Sequence, residues 1–269
     1  MLPKYLIHLA RLGSSNLHPK GKIATEYLID KLDLKDGQSI LDLGCGTGET
    51  IVRIASRYNV KIDGIDAIPE MLKIAQKRIK RVADKNNIHL TLGDFDSPLP
   101  FKDESYDRVY AESVLGFQSY EQIKFLLKEV NRILKKGGLC VMNEAIWKKS
   151  ASRQIIDGMN KSCIEDFGLC QASGDAIYLD DWLKLMEESN FKIISYEDLE
   201  SIRLGSTKNK SDKFNSNMIM SRLVTISLRA KGFIDPSVRK QISEYKNKLK
   251  KHKEDGRYIE SRLFVLNKG

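Results

Sequence analysis

Cysteine and histidine are scarce, at four each in 269 residues. Cys45 and Cys140 fall at expected core or ligand-turn positions, which suits reduced thiols and a cytoplasmic location. Cys163 and Cys170 are too far apart for a short C-x-x-C zinc pair, and no histidine cluster accompanies them. No metal site is therefore expected. No apolar run approaches about 18 residues, so no membrane-spanning helix is expected. The opening Met1 to Arg11 is too short and too broken to read as a signal peptide. Neither an internal repeat nor a low-complexity linker interrupts the chain. Its length suits one large α/β domain over residues 1–269, with some elaboration and a substantial core.

Charge is unevenly spread. Residues 1–199 carry 28 Lys and Arg against 29 Asp and Glu, and residues 200–269 carry 17 against 7, so the whole +9 excess is C-terminal. Its densest run is Lys246, Lys248, Lys250, Lys251 and Lys253, on a helix expected from about Pro236. Such a face can meet an anionic partner such as RNA, a phosphorylated substrate or a membrane surface. Aromatic residues that would stack bases are nearly missing there, which favours a solvated face and makes nucleic acid an unexpected partner.

The most informative segment is Ile40-Leu41-Asp42-Leu43-Gly44-Cys45-Gly46-Thr47-Gly48-Glu49-Thr50. It reads as a buried strand, a glycine-spaced turn and a helix start. Gly44, Gly46 and Gly48 allow sharp turning and close ligand approach, and the helix start offers free N–H groups and a positive dipole end. The spacing is G-x-G-x-G, not the dinucleotide G-x-G-x-x-G, and no G-K-[ST] follows. A nucleoside without a polyphosphate fits best. Lys61 to Asp66 is a second strand whose terminal acid stands roughly 20 residues past the turn, where it can accept from ribose hydroxyls. Ile88 to Phe95 follows; Asp94 can accept from an adenine amino group and Phe95 can flank the ring. Ser105 to Glu112 is a fourth strand, Tyr120 to Leu134 a helix, and Leu139 to Met142 begins a fifth strand. Strands alternating with helices predict right-handed βαβ units and a parallel sheet.

The stretches ILDLGCGTGET, IDGIDAIPEML, LTLGDFDSPLPF, ESYDRVYAESVLGF and LKEVNRILKKGGLCVMNE occur in this order. Together they make the chain resemble the class I S-adenosylmethionine (SAM) dependent methyltransferases of small-molecule type. The resemblance covers residues 36–144 closely and 178–196 more loosely. It implies a Rossmann-like seven-stranded sheet, order 3-2-1-4-5-7-6, with strand 7 antiparallel and helices on both faces. It also implies SAM as cofactor, contacts from Asp42, Gly44, Cys45, Gly46, Gly48, Asp66, Ala67, Met71, Asp94, Phe95 and Glu112, and methyl transfer to an N, O or C nucleophile of a small molecule. Nucleic-acid signatures are missing: no [DNS]-P-P-[YFW] and no Pro-Cys follows strand four, where Glu112-Ser113-Val114-Leu115-Gly116-Phe117 stands.

Candidates on the acceptor side are Glu112, Glu144 and His18. Glu112 either holds an ammonium group or supports the turn. Glu144 is expected to be solvated. His8 and His18 lie in an N-terminal segment, residues 1–20, that is expected to fold over the cofactor with Tyr5 facing SAM and His18 near its base. Asp42 either accepts from the glycine turn or touches SAM. Segments 145–177 and 199–235 lack family motifs and are expected to form the substrate cover. Two other classes stay open, an RNA methyltransferase using the basic C-terminal face and a non-catalytic SAM-binding protein. The acceptor and the oligomeric state are not legible in the sequence.

Overall fold

The computed structural model describes residues 3–14, 20–81, 87–175, 177–201 and 216–269. Seven strands form one sheet: β1 (Ser39–Leu43), β2 (Lys61–Asp66), β3 (Ile88–Leu92), β4 (Tyr106–Glu112), β5 (Leu134–Trp147), β6 (Phe191–Asp198) and β7 (Ile259–Lys268). Their order is β3-β2-β1-β4-β5-β7-β6. β1 to β5 pair in parallel, and β7 runs antiparallel between β5 and β6, with Met142 opposite Phe264 and Ile193 opposite Leu266. This is the arrangement the resemblance implied. Ile40, Leu41 and Leu43 are fully buried, as expected of a strand covered on both faces.

Helices α1 (Lys4–Arg11), α2 (Gly21–Lys31), α3 (Glu49–Ala55), α4 (Pro69–Ile79), α5 (Tyr120–Ile133), α6 (Arg153–Phe167), α7 (Leu179–Glu188), α8 (Ser216–Ile234) and α9 (Pro236–Lys251) surround the sheet. Local chemistry sets several of their ends. Ser119 and Ser152 accept from Gln122 N and Ile155 N at the starts of α5 and α6, and Gly168 ends α6 at φ +77°. Pro69 and Pro236 occupy first-turn positions of α4 and α9, where a missing N–H costs nothing.

One core joins α5 and α7 to a face of the sheet through Leu126, Val130, Trp182 and Phe264. The other joins α2, α3 and α4 to the opposite face through Leu28, Val52, Ala75 and Val265. A buried ion pair fastens α8 to this second side. Arg78 Nη1 lies 2.7 Å from Glu49 Oε2 and donates to Ser221 Oγ, while Nη2 donates to Thr225 Oγ1 and to the Gly13 carbonyl.

Over the carboxyl ends of β4 and β5 sits a cap of α1, α6 and α9. Tyr5 packs its ring 4.9 Å from Phe167 and 4.8 Å from Tyr245. His8 hydrogen-bonds Gln241 at 3.1 Å. Ala10 meets Ile68 and Met71 beside α4. No described helix is long and apolar enough to cross a membrane.

Candidate active site

The turn after β1 holds Gly44, Gly46 and Gly48 at φ +78°, +50° and +74°, a region that disfavours side chains. A Cβ on Gly44 would stand 2.3 Å from Val114 Cγ2, and one on Gly48 would stand 2.9 Å from Ala75 Cβ. Close packing within the protein therefore requires those two glycines. Among the described residues a Cβ on Gly46 would meet nothing within 4 Å, so they leave that face of the turn open to a ligand.

Asp66, at the end of β2, braces the turn: Oδ2 accepts from Gly46 N at 2.7 Å and Oδ1 from Ile68 N at 2.8 Å. A carboxylate offers about four acceptor positions, so ribose hydroxyls can still be received. Asp42 accepts from the Tyr110 hydroxyl at 2.8 Å. It does not hold the glycine turn, because Gly44 N and Cys45 N donate to the Ile65 carbonyl and Gly46 N to Asp66. Burial pushes the Asp42 carboxyl well above the usual range, and the neighbouring Glu112 and Asp66 charges push it further. Burial also raises Asp66, against the pull of its two N–H donors. Three carboxyls thus gather around the turn, and a cationic ligand would relieve their repulsion.

Glu112 accepts from Thr25 Oγ1 and Thr50 Oγ1, both at 2.8 Å, so it ties α2 and α3 to the end of β4. Glu144 departs from expectation. It is fully buried, with Oε1 accepting from Val114 N (3.1 Å) and Leu115 N (3.2 Å) and Oε2 from Gly116 N (2.9 Å). The solvated carboxylate expected there is instead the anchor of the 3-10 turn Leu115–Phe117. The sequence shows an acid after a strand; only the fold turns those three N–H groups onto it.

The remaining cofactor candidates are spread around the turn. Cys45 is buried, with its thiol against Gly64 and raised by burial. Ala67 is half-buried, and Met71 is buried beside Ile68. Asp94 is exposed and accepts from Asp96 N and Ser97 N. Phe95 packs against the core, and its carbonyl accepts from Gln122 Nε2. His18 lies outside the described residues. Thr47 Oγ1 donates to the Ser14 carbonyl at 2.9 Å, which ties the segment after α1 to the glycine turn.

Beyond β4, Ser113 stands at φ +56°, and its buried hydroxyl has no hydrogen-bond partner among the described residues. It lines a cavity of about 200 Å³ with Tyr5, Ala145, Cys163, Phe167 and Leu249, among others. Tyr5, expected to face the cofactor, lines this cavity. Segment 145–177 contributes α6, whereas the described part of 199–235, α8, packs against α3 and α4. Leu249 of α9 also lines the cavity; the sequence marks this stretch as a helix with a charge run and not as part of the substrate cover. A larger cavity of about 530 Å³, lined by Ser39, Asp63, His89 and Tyr106, lies at the amino ends of the strands. Ligands of open α/β sheets bind at the carboxyl ends, so the smaller cavity is the relevant one.

Fold and turn together define a Rossmann-like protein built for an adenosine-type ligand. A methyltransferase-domain family profile matches residues 40–138. The chain is 31% identical over 173 residues to the uncharacterized methyltransferase YodH of Bacillus subtilis, covering 61% of this chain and 70% of that one. It is 24% identical over 180 residues to methyltransferase GfsG of Streptomyces halstedii, covering 66% and 62%. Its fold is similar to that of Haemonchus contortus phosphoethanolamine N-methyltransferase 2 in complex with S-adenosyl-L-methionine, at TM-score 0.66 and 18% identity over 98% of this chain and 56% of that one. The chain belongs to the class I SAM-dependent methyltransferases, and its cofactor is SAM. The open face of Gly46 and the clustered carboxyls suit that cationic nucleoside.

Proposed function

We propose that the chain methylates a small, largely apolar acceptor held in the cavity above Ser113, with a nucleophile that needs no protein base. The carrying observation is that Ser113, whose buried hydroxyl has no partner among the described residues, stands in the wall of a cavity lined mainly by apolar and aromatic side chains. Bound SAM supplies a methyl group on a cationic sulfur. The glycine turn and Asp66 would hold the nucleoside, and the carboxyl cluster would favour its positive charge. Ser113 would fix the acceptor by one hydrogen bond, and the cap would exclude water.

Among the described lining residues there is no carboxylate or imidazole. Tyr5, Cys163 and Cys170, which can ionise, are all raised by burial and stay protonated near neutral pH. Glu112 and Glu144 are committed to structural hydrogen bonds. A neutral amine or an electron-rich carbon suits this wall better than an alcohol, which would need a base. The N-terminal segment would act as part of the cap, through Tyr5 and the Thr47–Ser14 bond.

Labelled methyl transfer from SAM to a panel of small amines, alcohols and carbon nucleophiles tests the reading. Ser113→Ala should keep the protein as stable or make it slightly more so, since removing an unpaired buried hydroxyl relieves a desolvation cost. It should raise the acceptor KM about tenfold, the effect of one lost hydrogen bond of about 1.4 kcal/mol. An unchanged KM would remove Ser113 from the acceptor site. Action on RNA is less favoured, because Lys248 and Lys251 of the basic run are engaged by Asp166 of α6. Steeply salt-dependent RNA binding would revive it.

A further inference from the structure

The cap brings together three side chains remote in sequence. Cys163 lies on α6, His252 follows α9, and Asp255 opens the 3-10 turn Asp255–Tyr258 before β7. His252 Nδ1 is 3.4 Å from Cys163 Sγ and 2.7 Å from Asp255 Oδ2. The three potential ligand atoms all lie within 4.8 Å of one another. We propose that Cys163 Sγ, His252 Nδ1 and Asp255 Oδ2 bind one divalent transition-metal ion of the zinc class, which clamps α6 to the α9–β7 junction.

A thiolate, an imidazole and a carboxylate form a mixed donor set suited to zinc. Tetrahedral zinc with ordinary bond lengths places S and N about 3.6 Å apart and N and O about 3.4 Å apart. The sulfur–nitrogen pair, at 3.4 Å, is within about 0.2 Å of this separation. The Asp255 oxygen needs to withdraw by less than about 1 Å, and its side chain is 21% exposed on a surface turn.

The outer partner of the histidine gives independent support. His252 Nε2 is 3.0 Å from Asp166 Oδ2. A proton held on Nε2 leaves the Nδ1 lone pair facing Cys163 and Asp255, the carboxylate–histidine–metal arrangement that orients ligating imidazoles. Lys251 holds the same Asp166 oxygen at 2.9 Å, so that carboxylate is anchored outside the ligand shell. Gln171 Oε1 accepts from the Cys163 thiol at 3.3 Å, a bond that thiolate formation would release.

Binding breaks the Cys163 S–H bond and forms an S–metal bond. The proton leaves to solvent, and nothing is oxidised or reduced. Without a cation the thiol is pushed up to about 12 by burial, with Asp255 and Asp166 adding to the effect. A dication neutralises those carboxylates and inverts the local preference. Cys163 also lines the acceptor cavity, so the ion would stiffen that wall without depending on which acceptor is used. The sequence does not betray the site, because Cys163 and His252 are 89 residues apart and only the His252–Asp255 pair is close.

The test uses the untagged full chain, stripped with a chelator and titrated with cobalt(II). The expected result is one ion per chain, with a thiolate-to-cobalt charge-transfer band. Cys163→Ser should abolish the band while Cys170→Ser keeps it. Asp255→Asn should weaken binding at least tenfold, and Asp166→Asn about tenfold to a hundredfold. No stoichiometric binding by the intact chain would overturn the proposal. So would a band indifferent to Cys163 or lost equally with Cys170. If Cys163→Ser fails to fold, unaltered affinity in Asp255→Asn overturns it instead. Methyl-transfer activity enters none of these readouts, so failure here leaves the acceptor reading standing.

Discussion

Replacing Glu144 by Gln separates a structural acid from a catalytic one. Glu144 is fully buried and receives three backbone N–H groups, from Val114, Leu115 and Gly116. Gln keeps one carbonyl oxygen, which can continue to receive Val114 and Leu115. Its NH2 then faces Gly116 N–H, donor against donor. An orphaned buried N–H costs about 1–3 kcal/mol, and the two surviving bonds lose their charge assistance, roughly half their strength. Burying a neutral amide in place of a carboxylate offsets part of this. The net expectation is a loss of about 2 kcal/mol, or about 4–8 °C in Tm for a chain of this size. Thermal unfolding without ligand, followed by SAM calorimetry, is the assay. Turnover should fall together with stability, because the 3-10 turn held by Glu144 adjoins Ser113 and the Val114 contact to Gly44. A Tm unchanged within about 2 °C alongside abolished turnover would refute the structural role and return Glu144 to the chemistry.

Gly46→Val should leave a folded protein, since a Cβ there meets no atom of the described residues within 4 Å, at about 1–2 kcal/mol for a left-handed backbone; SAM affinity should fall beyond detection by calorimetry, and retained affinity would show that the ligand does not approach this face. Asp66→Ala should weaken SAM by about 2–3 kcal/mol and also lower stability, because two backbone N–H groups lose their acceptor; unchanged affinity in the folded variant would remove Asp66 from the cofactor site. Asp42 has a raised folded-state pKa, so its protonated form favours folding below the usual carboxylate range and that contribution is lost as pH rises through the raised value. Asp42→Asn, which mimics the protonated form, should therefore stabilise the apo protein more at pH 8 than at pH 4, and a gain independent of pH across unfolding curves would contradict this.

The glycine turn, the acid ending β2 and the βα alternation were legible because each is a local demand on a few neighbouring residues: φ above zero, a strand end, a helix start. Ordered motifs then carried the seven-strand order, including the inserted β7. The acids after β4 and β5 were visible as acids but not as partners. Glu112 and Glu144 differ from free carboxylates through partners such as Thr25, Thr50 and three N–H groups that the fold turns toward them.

The cavity shows the same division. Ser113 follows a recognisable strand, yet its unpaired hydroxyl is a property of everything packed around it. Its opposite wall comes from Tyr5 near one end of the chain, Phe167 in the middle and Leu249 near the other end. Hydrophobic periodicity assigns each of these to a helix and cannot say which helices meet. Cys163 and His252 meet only because the antiparallel β7 returns the chain beside β5 and brings the end of α9 back to α6. Sequence by itself determined the glycine turn, the acid ending β2 and the strand order, where short-range backbone geometry and ordered motifs carry the information. Only the tertiary structure decided the cavity proposed for the acceptor, because its contacts form between segments whose proximity depends on the packing of the whole sheet.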